Sequence, residues 1–192
     1  MRKYLLEREL AHHCAPALCG MKPANLVCFA KREFPELYAL LPEYQKEFSR
    51  FGICLEVVCS CDRRDLMLVY QPKLLARQLA RKRVHELLRQ DGYPCGGMRE
   101  QIGHLKSRLA AQQEFPHEIG LFLGYPVDDV LAFQRYHGEG CKLCGYWKVY
   151  ENVDAAKRCF ARFDACRAAM TGALSAGKTI TQLLEAYRMH TA

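Results

Sequence analysis

The sequence predicts an α+β fold that is rich in helix, with about four short strands in a small mixed or antiparallel sheet. Three observations lead there. The apolar runs Ile53–Cys59 and Asp65–Tyr70 flank the polar stretch Ser60–Arg64, which is the pattern of an antiparallel hairpin. Several other segments carry apolar residues at helical spacing between a proline and a glycine. The 192 residues contain no repeat, low-complexity tract or Pro/Ser-rich linker, so one globular domain over 1–192 is expected.

In chain order, Arg2–His13 reads as a helix broken by Pro16 and Gly20. Asn25–Ala30 reads as a short strand. A helix beginning near Pro35 or Pro42 places Leu40, Tyr44, Phe48 and Phe51 on one face and stops at Gly52. After the hairpin, Pro72 opens a helix to about Gln90, with Ala76, Ala80, Val84 and Leu88 as its core row. A polar helix follows from Met98 to about Gln112, then a short one from Pro116 to Leu123 that Gly124 stops. Pro126 begins the next, which Gly138 ends. Tyr146–Tyr150 alternates as a strand. Asn152 caps a long helix to Gly177, and Thr179 with Gln182 forms a capping box for the last one.

Half of the residues are hydrophobic and 26% are charged, which excludes a disordered or fibrous chain. The longest uncharged apolar stretch, Ile119–Val127, falls far short of the ~20 residues that cross a bilayer, so no membrane partner is expected. Acids within the first ten residues argue against a signal peptide. Eleven cysteines, an odd number, then favour reduced thiols in a cytoplasmic setting, best tolerated in an anaerobic cell. The net charge of +7 admits an anionic partner without requiring one.

Several phrases resemble a known family: His13–Pro16, Lys22–Leu26, Val69–Leu75, Phe115–Pro126 and Gly145–Tyr150. They are similar to domain-of-unknown-function family 3793, a bacterial family found mostly in anaerobic Gram-positive organisms. The resemblance spans nearly the whole chain and is most specific around His117. It implies a cytosolic single-domain protein and supplies no activity or site.

The candidate chemistry therefore comes from the residues. His117 and Glu118 fall in the first turn of the helix expected from Pro116, where the helix field favours a neutral imidazole able to act as base. Gly120 and Gly124 share that face, which suits either a close ligand or a tight helix contact. His12-His13-Cys14 offers a thiol beside imidazoles, with Cys14 as nucleophile and His13 or His117 as base; the alternative is a partly buried structural thiol. Tyr146, Lys148 and Tyr150 share a strand face that can line a ligand cleft, with Lys148 as the anion contact and Trp147 turned to the core.

Cys141 and Cys144 have the spacing of half a metal knuckle for zinc or iron, completed by Cys59 and Cys61 or by His137; two unlinked loop thiols are the alternative. Cys28, Cys54, Cys159 and Cys166 are expected in the core. Lys73, Arg77 and Arg81 form a basic row on the helix spanning 73–89, able to follow nucleic-acid phosphates or simply to face water. The leading expectation is a cytosolic protein that binds a small-molecule ligand and uses thiol chemistry. A metal-binding or electron-transfer protein and a nucleic-acid-binding adaptor are the alternatives.

Overall fold

In the computed structural model, which describes residues 2–111 and 115–191, the expected hairpin is the centre of the molecule. Its strands β2 (Cys54–Ser60) and β3 (Arg64–Tyr70) pair antiparallel, with an irregularity between Val57 and Cys59. An earlier strand, β1 (Ala24–Ala30), lies antiparallel on the other side of β3, giving the order β1-β3-β2. β3 is thus central, and its residues from Met67 to Tyr70 are all buried. Successive side chains of a strand point to opposite faces, and each face of this sheet meets its own core.

On one face, Val27, Phe29, Met67 and Val69 pack with residues of α1 (Arg2–Leu18), α2 (Leu37–Ser49), α8 (Val153–Ser175) and α9 (Ile180–Thr191). On the other, Ala24, Val58, Leu68 and Tyr70 meet α3 (Pro72–Leu79), α4 (Lys82–Gln90), α5 (Met98–Ala110), α6 (Ile119–Phe122) and α7 (Val127–Tyr136). The fourth expected strand shortens to β5 (Lys148–Val149), which pairs with β4 (Leu143–Cys144) as a separate hairpin. The fold is α+β. Among the described residues, no helix is long and apolar enough to cross a membrane.

Several boundaries differ from expectation for identifiable reasons. Pro16 lies inside α1 instead of ending it. The carbonyl that its ring deprives of a partner belongs to His12, which is exposed to water. Pro42 is likewise inside α2. The helix expected from Pro72 to Gln90 is two helices, because Arg81 is extended (φ −63°, ψ 127°). The buried residues are Leu75 and Leu79, then Val84 and Leu88. The five-residue step from 79 to 84 would rotate the second pair away from the first on one straight helix, and the break re-aims both at the core. Ala76 and Ala80, expected inside, are exposed. The expected end of α5 at Gln112 lies outside the described residues.

The capping box at Thr179 forms in both directions, with Thr179 N donating to Gln182 Oε1 (2.9 Å) and Gln182 N to Thr179 Oγ1 (3.2 Å). Asn152 Oδ1 accepts from Ala155 N at 3.1 Å and caps α8.

Candidate functional site

A cleft of about 260 Å³ opens between the α6–α7 segment and the β4–β5 hairpin. Its walls are chiefly aromatic. Tyr125, between α6 and α7, stacks on Trp147 with ring centroids 5.2 Å apart and planes 30° from parallel. His117 meets Phe133 of α7 edge to face at 4.9 Å. Lys148 of β5 contributes the ammonium, which donates to Gly138 O at 2.7 Å and lies 5.9 Å from the Phe133 ring centre. Gly138 has φ +86°, and a side chain there would meet Lys148 Nζ at 2.9 Å. The backbone turn therefore favours glycine, and a Cβ there would also push the end of the Lys148 side chain aside.

Gly120 also lines the cleft. A Cβ on it would come within 2.9 Å of Val130 Cγ2 and 3.1 Å of Tyr125 Cδ2, so its absence lets Tyr125 settle against α6. Cys144 sits exposed at the rim, cross-strand from Lys148. The structure thus brings together His117, Gly120, Cys144 and Lys148 from two separate parts of the sequence.

The remaining candidates lie elsewhere. Tyr146 leaves the expected shared face: its hydroxyl donates to Asp164 Oδ1 at 3.0 Å, and its ring packs on Phe160 and Phe163. Tyr150 is buried outside the cleft lining. Trp147, expected in the core, lines the cleft instead. Strand alternation does not extend to residues 146 and 147, since β5 begins only at Lys148. Gly124 turns the chain at φ +76°, where a Cβ would lie 2.6 Å from Pro23 Cδ; its role is packing.

His117 and Glu118 precede α6 instead of opening a helix at Pro116. Bonds from Ile119 N to Pro116 O and from Gly120 N to His117 O, at 3.1 and 3.2 Å, close tight turns there. With a helix of only four residues after it, the helix-field argument for His117 lapses. Glu118 faces away from solvent at 2% exposure, accepting from Tyr93 Oη (2.9 Å) and pairing with Arg108 Nε (2.6 Å).

Cys14 is fully buried among Leu10, Leu18 and the sheet, and burial pushes its thiol far above the ordinary range. His12 and His13 point outward, since neighbouring residues on a helix are about 100° apart. His13 Nε2 lies 3.4 Å from Glu9 Oε2, and its pKa is lowered by partial burial and by neighbouring His12. The proposed Cys14–His13 couple is therefore split between the core and the surface. Cys141 is half-buried and Cys144 exposed. Among the described residues, no three His, Cys, Asp or Glu side chains gather as a metal-ligand group. Cys28, expected in the core, is exposed, while Cys54, Cys159 and Cys166 are half-buried. Lys73, Arg77 and Arg81 are exposed to water.

Asp129 is a further determinant of the site that composition and spacing did not single out. Only 5% exposed, it accepts from Trp147 Nε1 at 2.7 Å and from Tyr150 N at 2.8 Å, fixing the hairpin and its indole to α7. The one trace in the sequence is the pair Asp128-Asp129 in a first helical turn, which reads equally well as helix-terminal charge.

A family described as a protein of unknown function, DUF3793, matches residues 10–184 of the chain. No curated protein and no solved structure matches it.

Proposed function

The chain belongs to the DUF3793 family, and from that premise we propose that it binds a flat, largely apolar small molecule carrying one anionic group. The observation that carries this reading is the cleft framed by the Tyr125–Trp147 stack and the His117–Phe133 pair, with Lys148 between strand and rim. Aromatic walls reward a planar partner through offset stacking and burial of its faces. An ammonium has three donors, and Gly138 O takes one from Lys148. The other two can meet a carboxylate, sulfonate or phosphate oxygen.

Cys144 takes the thiol's place in this reading, because it is exposed at the rim where a bound electrophile would meet it. His117 is the base or orienting group within the same cleft. Eleven cysteines without disulfides fit a reducing cytosol.

Calorimetric titration with anilinonaphthalene sulfonate, an anion carrying a flat naphthalene ring, tests the proposal. The expected result is one site per chain, with affinity reduced roughly tenfold by Lys148→Met through loss of a charge-assisted hydrogen bond. Cys144→Ser should leave affinity unchanged. Equal affinity in wild type and Lys148→Met would overturn the assignment of Lys148 as the anion contact.

A further inference from the structure

Away from the cleft, a second pair of groups has a chemistry of its own. Cys19 follows the last turn of α1, its N–H bonded to Ala15 O at 2.9 Å. Cys166 lies in the middle of α8, which packs along α1. The two residues are 147 positions apart by number, yet both pack against the same core and both line one apolar groove of about 290 Å³ with Met21, Met170 and Leu184. Electrostatically the two thiols are neighbours, each shifting the pKa of the other. Each is half-buried, unlike the fully enclosed Cys14 one turn earlier. The groove gives a small solute access to both sulfurs.

We propose that Cys19 and Cys166 form an oxidisable dithiol that closes to a disulfide on reaction with a peroxide. In that step the Cys166 thiolate attacks a peroxide oxygen, giving a sulfenic acid and releasing hydroxide. Cys19 then attacks the Cys166 sulfur as a thiolate, the S–S bond forms, and the sulfenic hydroxyl leaves as water once protonated. Overall two thiols lose two electrons and two protons, and one hydrogen peroxide becomes two waters. Cys166 attacks first, because the neighbouring Cys19 thiol lowers its pKa and leaves it the readier thiolate. The bond joins the end of α1 to α8 across the groove, beneath Leu183 and Tyr187 of α9.

The test treats reduced wild-type protein with one equivalent of hydrogen peroxide, blocks remaining thiols with N-ethylmaleimide, and maps the peptides by mass spectrometry. The expected product is a Cys19–Cys166 linked peptide as the main crosslink, together with a melting temperature higher by about 5 °C or more. In Cys19→Ser, oxidation should stop at a sulfenic acid on Cys166 that dimedone traps. Recovery of both cysteines as maleimide adducts while other thiols oxidise would overturn the proposal. So would a main crosslink between any other pair, or a Cys19→Ser protein in which dimedone labels every site except Cys166.

Discussion

Lys22 is a buried cation in an unfavourable setting. It is 6% exposed, and its ammonium has no hydrogen-bond partner among the described residues. Instead it lies over the Tyr125 ring at 4.9 Å and near that of Phe163 at 5.9 Å, a cation–π setting that only partly replaces water. Burial pushes its pKa down to about 8 from 10.5, against the opposing pull of the Cys14 and Cys159 thiols. Between those values the unfolded chain binds more protons than the folded one, so this group's contribution to stability rises with pH. Below pH 8 the whole penalty is present, on the order of 3 kcal/mol. Lys22→Met should therefore stabilise the protein at pH 7 by about 2 kcal/mol, with the advantage shrinking as pH approaches 10. Urea denaturation of both proteins at pH 7 and 10 checks this; a pH-independent difference would contradict it. Cys14 offers a second test at this scale. Iodoacetamide should label it only as fast as the protein unfolds, whereas Cys144 should react in the native state.

At the scale of elements, two buried carboxylates hold pieces of chain that regular structure alone would not position. Glu118 binds the α5 helix and the Tyr93 loop to the turn before α6. Glu118→Ala leaves the Tyr93 hydroxyl and the Arg108 guanidinium without it, and should cost about 3 kcal/mol in a urea titration. Asp129 does the same for the β4–β5 hairpin, whose ladder is only two residue pairs long. The hairpin also packs closely at Gly145, where a Cβ would stand 2.3 Å from the Phe160 ring. Asp129→Ala should free the indole of Trp147, shifting its emission to the red and weakening ligand binding more than it lowers stability. An unchanged spectrum would show that Asp129 does not orient the indole.

These elements differ in how readily the sequence revealed them. The β2–β3 hairpin and the Thr179 capping box were legible because local pattern determines both. The break at Arg81 was not, since neither glycine nor proline marks it and tertiary packing imposes it. Glu118 and Asp129 were misread or missed because their partners, Tyr93, Arg108 and Trp147, lie between 10 and 25 positions away. Spacing within one helix says nothing about such distant contacts.

At the scale of the whole molecule, the sheet divides two cores, and the cleft forms where the second core meets a small third cluster around Val149, Ala156 and Phe160. That location explains why its residues could be proposed singly but not assembled. Local chemistry marks His117 and Lys148 one by one, yet only the folding of α7 against the hairpin brings them to one cavity. The same local chemistry marks Cys14, and the turn of α1 carries it into the core. The chain has one tryptophan, Trp147, and it stands in the cleft wall. Its emission is therefore a reporter confined to the proposed site. The most direct measurement titrates anilinonaphthalene sulfonate while exciting that indole. The account predicts saturable quenching at one ligand per chain, with energy transfer to the bound dye, both shifted in parallel to roughly tenfold higher dye concentration in Lys148→Met. Dye that binds while leaving Trp147 emission untouched would place the ligand elsewhere and contradict the account.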